Sequence, residues 1–101
     1  MKMPCSLPTV VAWKCGPIGR SAYVVNTNSA NVSVIATASN TVTDTVPVGT
    51  RPADVAITPD GNFAYVTNHL SNTVSVIATA SNTVTATVAV GDGPWGLAIT
   101  P

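Results

Sequence analysis

No glutamate occurs anywhere in this chain, and charge of either sign is scarce. The acids are Asp44, Asp54, Asp60 and Asp92, and the bases are Lys2, Lys14, Arg20 and Arg51. Together they make up 8% of 101 residues and cancel to a formal net charge of zero. A protein that neutralises phosphates needs a basic stripe, so the composition argues against a nucleic-acid partner. The single histidine, His69, has neither a second imidazole nor a Glu to help it in acid–base work or metal binding. Two cysteines, Cys5 and Cys15, with nine residues between them, match no zinc spacing. They read as incidental or structural thiols, with a disulfide as the alternative. No apolar run reaches the roughly 18–20 residues of a membrane helix, so no span is expected. Lys2 precedes an apolar patch, but Pro4 and Pro8 interrupt it and no small-residue cleavage site follows, so no secretory signal is visible. No segment holds an apolar period of 3.6 residues, which argues against helix throughout.

What the chain has instead is valine and threonine, 31 residues between them, within a hydrophobic content of 46%. Both are β-branched and stiff at χ1, which favours the pleated backbone. The apolar content is enough for a packed core and argues against disorder. The chain also repeats itself. Val32–Thr43 and Val74–Thr85 are the same twelve residues at an offset of 42, and 26 of 38 positions agree between Ala22–Pro59 and Ala64–Pro101. Such a period marks a repeat architecture.

The repeat unit divides into four short strands with turn signals between them. In the second copy the spacing predicts strand a at Ala53–Thr58, b at Phe63–Asn68, c at Thr73–Thr79 and d at Thr83–Val90. Pro59-Asp60-Gly61-Asn62 forms the a–b turn: proline presets φ, Asp bonds its own backbone, and Gly accepts positive φ. Ser81-Asn82 lies in the c–d turn. Along strand c, Val74, Val76 and Ala78 alternate with Ser75, Ile77 and Thr79, so neither face is strongly polar. A sheet packed on both sides fits that pattern. Four-stranded antiparallel sheets stacked at a fixed period are the blades of a β-propeller. The expected class is therefore all-β, a partial propeller of about two 42-residue blades. Residues 1–9 form an irregular lead, and 10–101 the repeat segment: a blade at 10–51, a blade at 52–93, and the first strand of a further blade at 94–101. Val10–Cys15 stands as a degenerate strand a of the first blade.

Ala64–Asn68 (AYVTN), followed by Asn72–Gly91 (NTVSVIATASNTVTATVAVG), resembles the YVTN β-propeller repeat. The match continues through a Val-Gly-x-x-Pro step and a Thr-Pro-Asp-Gly turn and covers residues 17–101. The first copy departs at Val25, where the second has Thr67, and Ala36 and Ala78 stand where this repeat more often has Asp. The resemblance implies roles as varied as surface-layer and secreted proteins, lactonase-like proteins, partners of redox enzymes and, in one branch, DNA binding. The repeat motif itself sets none of them. Propellers close with about 4–8 blades, so the expected partners are further blades, either of one longer chain or of other copies. An internal piece is the favoured reading, and an extracytoplasmic or cell-surface setting follows from the resemblance.

If strand a runs away from one face, the b–c and d–a loops share that face. The binding residues expected at this rim are Asn28, Arg51, Asp54, His69, Asp92 and Trp95, set against the ordinary reading of polar loop residues on a surface. Trp95, replacing Ala53 of the first copy, offers a flat apolar platform for a sugar, so a carbohydrate or protein ligand is the expectation. Gly91–Gly96 spells GxGxxG, but the dinucleotide fingerprint needs a helix after it, and Leu97–Thr100 reads as a strand. No cofactor, metal or catalytic residue is therefore assigned. The functional expectation is a non-enzymatic binding scaffold. The alternatives are part of a lactonase- or lyase-like enzyme and a small self-assembling lectin-like propeller.

Overall fold

The computed structural model describes residues 21–100. Cys5, Cys15, Val10–Cys15, the lead at 1–9, and Pro101 lie outside the described residues. Seven strands follow one another with no helix between them: β1 (Ser21–Asn26), β2 (Asn31–Ala36), β3 (Thr41–Pro47), β4 (Pro52–Ile57), β5 (Phe63–Asn68), β6 (Thr73–Ala78) and β7 (Thr83–Ala89). They form two antiparallel meanders, β1-β2-β3 and β4-β5-β6-β7. The all-β partial propeller is thus observed, and the second-copy strands start or end within a residue of their expected places. Among the described residues the first blade shows three of its four strands.

Leu97–Thr100 corrects the expectation: the segment forms no strand. Its repeat equivalent, β4, is a strand because Val55, Ala56 and Ile57 pair with Val66, Tyr65 and Ala64 of β5. No strand among the described residues offers Leu97–Thr100 that ladder, and an extended segment without one is not sheet.

The turns follow the chemistry of their residues. Gly61 takes φ 76° in the a–b turn, where Asp60 Oδ1 accepts from Thr58 Oγ1 at 2.6 Å and from Asn62 N at 3.0 Å. Asn40 and Asn82 take φ 56° and 54° at the two c–d turns. Each donates its N–H to a carbonyl, of Ala36 and Ala78 respectively, at 2.7 Å. The outer strands carry a device that composition does not announce. The ladder shifts register at Val34/Ile35 and again at Val76/Ile77, leaving Thr43 and Thr85 as extra residues. Each of these threonines hydrogen-bonds back to Val34 O or Val76 O at 3.3 Å. Such a bulge sharpens the local twist.

The core lies between the blades. Val32, Val34 and Val46 of the first blade meet Ala64, Val66 and Ile77 of the second, flanked by Tyr23, Val25, Val48 and Val55. Period-2 alternation alone places these side chains on facing surfaces. The sheets approach along β1 and β4 and meet only sparsely at β3 and β7, the wedge shape of stacked propeller blades. At the junction's edge the Tyr23 hydroxyl donates to Asn82 Oδ1 at 2.5 Å, and Asn82 Nδ2 donates to Asp44 Oδ2 at 3.0 Å. The Tyr23 hydroxyl thus bridges the two blades.

Candidate functional site

At one end of the sandwich the b–c turns and the d–a loops interlock. His69 N donates to Arg51 O at 2.9 Å and Leu70 N to Thr50 O at 3.1 Å. Thr50 N donates to Ser71 Oγ at 2.7 Å. Thr27 Oγ1 donates to Pro52 O, and Thr67 Oγ1 to Trp95 O, each at 2.9 Å. The Thr27–Pro52 bond has its repeat equivalent in the contact of His69 Nδ1 with Pro94 O, whereas Thr67, which replaces Val25 of the first copy, adds a fastening that the first copy lacks.

The rim residues sort into two pairs and two singletons. Arg51 Nη1 donates to Asn28 Oδ1 at 3.0 Å across an exposed surface. Arg51 holds φ 55°, a left-handed conformation for which Gly93 stands at the equivalent place with φ 62°. His69 and Trp95 form the second pair, with ring centroids 4.2 Å apart and planes tilted by 38°. Because Arg51 O accepts from His69 N, the two pairs are neighbours along one rim. Asp54 turns its carboxylate to the N–H of Val55 at 2.9 Å. Asp92 is exposed beside Gly93. Neither carboxylate contacts either pair directly.

His69 Nδ1 lies 3.2 Å from Pro94 O. A carbonyl oxygen can only accept, so this contact assigns the proton to Nδ1 and leaves Nε2 as an acceptor. Trp95 is 64% exposed, so its indole offers an outward apolar face beside a ring nitrogen that can accept a hydrogen bond. An aromatic plane next to a fixed acceptor suits a ligand with one flat apolar face and peripheral hydroxyls.

Asn68, at the end of β5, has a structural role. Its side chain is fully buried. Oδ1 accepts from Gly49 N at 3.1 Å, and Nδ2 donates to Thr73 Oγ1 at 3.1 Å and Ser75 Oγ at 2.9 Å. A Cβ on Gly49 would sit 2.7 Å from Asn68 Cγ, so only glycine admits the contact. The clamp was readable in principle, since Asn26/Asn68 and Gly49/Gly91 persist in both copies. Beside it a cleft of about 310 Å³ opens between the diverging blades, lined by Pro47, Val48, Thr73, Val84 and Thr87 and by no charged group.

Comparison with known proteins agrees with this geometry. The profile of the family described as lactonase, 7-bladed beta-propeller, matches residues 14–101. Among solved structures, Kuenenia stuttgartiensis hydrazine synthase is similar with a TM-score of 0.73 and 33% identity over 75% of this chain and 22% of that one. Apo AztD from Citrobacter koseri aligns with a TM-score of 0.62 and 21% identity, again over 75% of this chain and 22% of its own, and at that identity shares the fold alone. This chain thus spans under a quarter of the length of these structures. A search of curated proteins finds no match. With its matched profile, its repeat and its two stacked antiparallel meanders, the chain belongs to the lactonase, seven-bladed β-propeller family.

Proposed function

We propose that this chain is a segment of a non-enzymatic β-propeller scaffold, built from YVTN-type repeats, whose unequal rim loops bind a ligand outside the cytoplasm. The observation that carries the reading is the His69–Trp95 pair, an exposed indole held 4.2 Å from a histidine ring whose tautomer a backbone carbonyl fixes. The twelve residues Val32–Thr43, by contrast, repeat unchanged as Val74–Thr85 and serve packing. At the rim the copies differ in size and chemistry: Thr27 against His69, Asn28 against Leu70, Arg51 against Gly93, Ala53 against Trp95. A scaffold that keeps its strands and varies its loops concentrates recognition in the loops. The ligand class is a neutral saccharide that stacks on Trp95. Titrating the chain with neutral oligosaccharides while following tryptophan fluorescence tests this. A saturable change that disappears in Trp95→Ala is expected; no response to any saccharide sinks the reading.

The family match favours a second reading, an enzyme of lactonase or lyase type completed by blades beyond those described. Lactone turnover by the parent propeller, abolished by His69→Ala or Arg51→Ala, would establish that reading and displace the first.

A further inference from the structure

Strand d occurs twice, as β3 (TVTDTVP) and as β7 (TVTATVA), and the copies differ only where Ala86 replaces Asp44 and Ala89 replaces Pro47. Each lies at the edge of its sheet, and the last strand of a blade sits on the perimeter of a propeller whatever the number of blades. An edge strand offers unpaired N–H and C=O groups to any other strand, and proteins guard such edges with charge, proline and bulges. Both copies carry the bulge, at Thr43 and Thr85. Only β3 carries the other two devices. Which groups face the open edge follows from the ladder. Val48 N donates to Ala30 O and Val90 N to Asn72 O, so these residues turn their backbone inward. Backbone direction alternates along an antiparallel strand, which aims Thr45 and Pro47 of β3, and Thr87 and Ala89 of β7, outward. Pro47 therefore deletes an outward donor, at the kind of place where a sheet tolerates proline. Ala89 restores that donor. The second blade thus presents an open and uncharged edge, and every residue of β7 is exposed.

We infer that β7 pairs with β7 of a second copy of this protein, antiparallel and edge to edge, across a twofold axis at Val88. The contact is isologous, so each opposed pair occurs again by symmetry. Thr87 faces Ala89 of the second copy, and each donates its N–H to the other's C=O. Val88 meets Val88 on the axis, and Ala86 meets Val90 of the second copy. The second copy is the occupant because one register satisfies both edges at once, with every opposed residue small or β-branched. No charge occurs in Thr83–Val90, so no like-charge pair opposes this register. The segment it uses lies beyond the bulge, where the β6–β7 ladder runs unbroken from Ala86 to Ala89. The first blade's residues would spoil it: proline at 89 removes the outward donor from both copies, and aspartate at 86 sets a carboxylate against Val90. The pairing uses the edge of the sheet and not its faces, which turn toward neighbouring blades. It is therefore compatible with a closed ring of the seven-bladed family.

The test is the mass of the intact protein by sedimentation over a range of concentrations. The wild type is expected as monomer and dimer, with the dimer fraction rising with concentration. Ala86→Asp and Ala89→Pro each copy a residue that the first blade carries at the same place, so the circular dichroism spectrum is expected to be kept and the dimer to be lost. Should either variant fail to fold, cysteine cross-linking decides. With Cys5→Ser and Cys15→Ser in place, Val88→Cys is expected to give a covalent dimer under mild oxidation, since opposed side chains in such a ladder have Cβ atoms about 4.5–5.5 Å apart. Val84→Cys, which the register sets far from its own counterpart, is expected to give none. A wild type that is monomeric at every concentration leaves the edge to an extended segment of a different protein and overturns the proposal. A dimer that both variants leave intact, equal cross-linking at 84 and 88, or an assembly without a defined mass does the same. None of these outcomes depends on saccharide binding, so the rim reading stands or falls separately.

Discussion

The side-chain oxygen of Asn68 accepts the backbone N–H of Gly49 at 3.1 Å, joining the second strand of one blade to the exit of the strand that ends the blade before it. Asn68→Leu leaves that N–H, the Thr73 hydroxyl and the Ser75 hydroxyl without their partner. A buried polar group so stranded costs about 1–3 kcal/mol, and we expect a loss near the middle of that range. Gly49→Ala is expected to lose about 1–3 kcal/mol by overpacking. Urea unfolding of both variants checks the pair. A change within about 0.5 kcal/mol for either would match an ordinary surface substitution and remove the clamp from the account.

A second expectation comes from comparing turns. Ala30 holds φ 59°, and Asn72 at the equivalent place holds φ 55°. Asn tolerates this conformation better than Ala. Asn72 also accepts Gly93 N at 2.9 Å through Oδ1. Ala30→Asn therefore relieves the backbone and supplies the same acceptor for Arg51 N. The gain is expected at about 1 kcal/mol, which raises the melting temperature by roughly 4–8 °C in a domain of this size. An unchanged or lower melting temperature contradicts the equivalence of the two turns.

Much of the architecture was legible in the residues, and the reasons are physical. The Val/Thr alternation, the proline and glycine punctuation and the 42-residue period each specify a local feature, and together they specify one fold. Leu97–Thr100 escaped because a strand is a property of a pair, and its own sequence says nothing about whether the partner is there. The bulges at Thr43 and Thr85 escaped for a similar reason: inserting a residue in a ladder leaves no mark in composition. Of the residues expected at the rim, Asn28 lies against Arg51 and His69 against Trp95, pairings that the loop positions alone do not specify. The burial of Asn68 was not legible, since polarity alone does not distinguish a loop-end amide facing solvent from one buried against the neighbouring glycine. Asp54 and Asp92 reached the same end of the molecule but do not join the two pairs.

Stability should respond to pH at both extremes. On the acid side, the Thr58 hydroxyl and then the Asn62 N–H hold the Asp60 carboxyl below its ordinary value. The native state therefore binds fewer protons here than the unfolded chain. The resulting stability is present above about pH 4 and is lost as pH falls through the native value. On the alkaline side, burial and then Asp44 raise the Tyr23 phenol. That contribution is present below about pH 10 and is lost as pH rises through the native value. Melting temperature against pH is expected to flatten at the acid limb in Asp60→Asn and at the alkaline limb in Tyr23→Phe. Unaltered limbs would assign the sensitivity to other groups.

The rim pair makes a narrower prediction. Trp95 is largely exposed and touches His69 through one ring face. Its removal is expected to cost the fold about 0.5–1.5 kcal/mol, the worth of an aromatic pair. Denaturant unfolding of Trp95→Ala measures it. A loss above about 3 kcal/mol would make the indole a core element and withdraw it from ligand binding.

The central claim is that recognition lies in the loops where the two copies differ, while the repeated strands only hold them. Replacing His69, Leu70, Gly93 and Trp95 together by the first-copy residues Thr, Asn, Arg and Ala tests it most directly, read by calorimetric titration with neutral oligosaccharides beside the native chain. The account predicts that the native chain binds, that the circular dichroism spectrum is retained in the variant and that its binding is lost. Saccharide affinity equal to that of the native chain, with the second rim converted to the first, would contradict it.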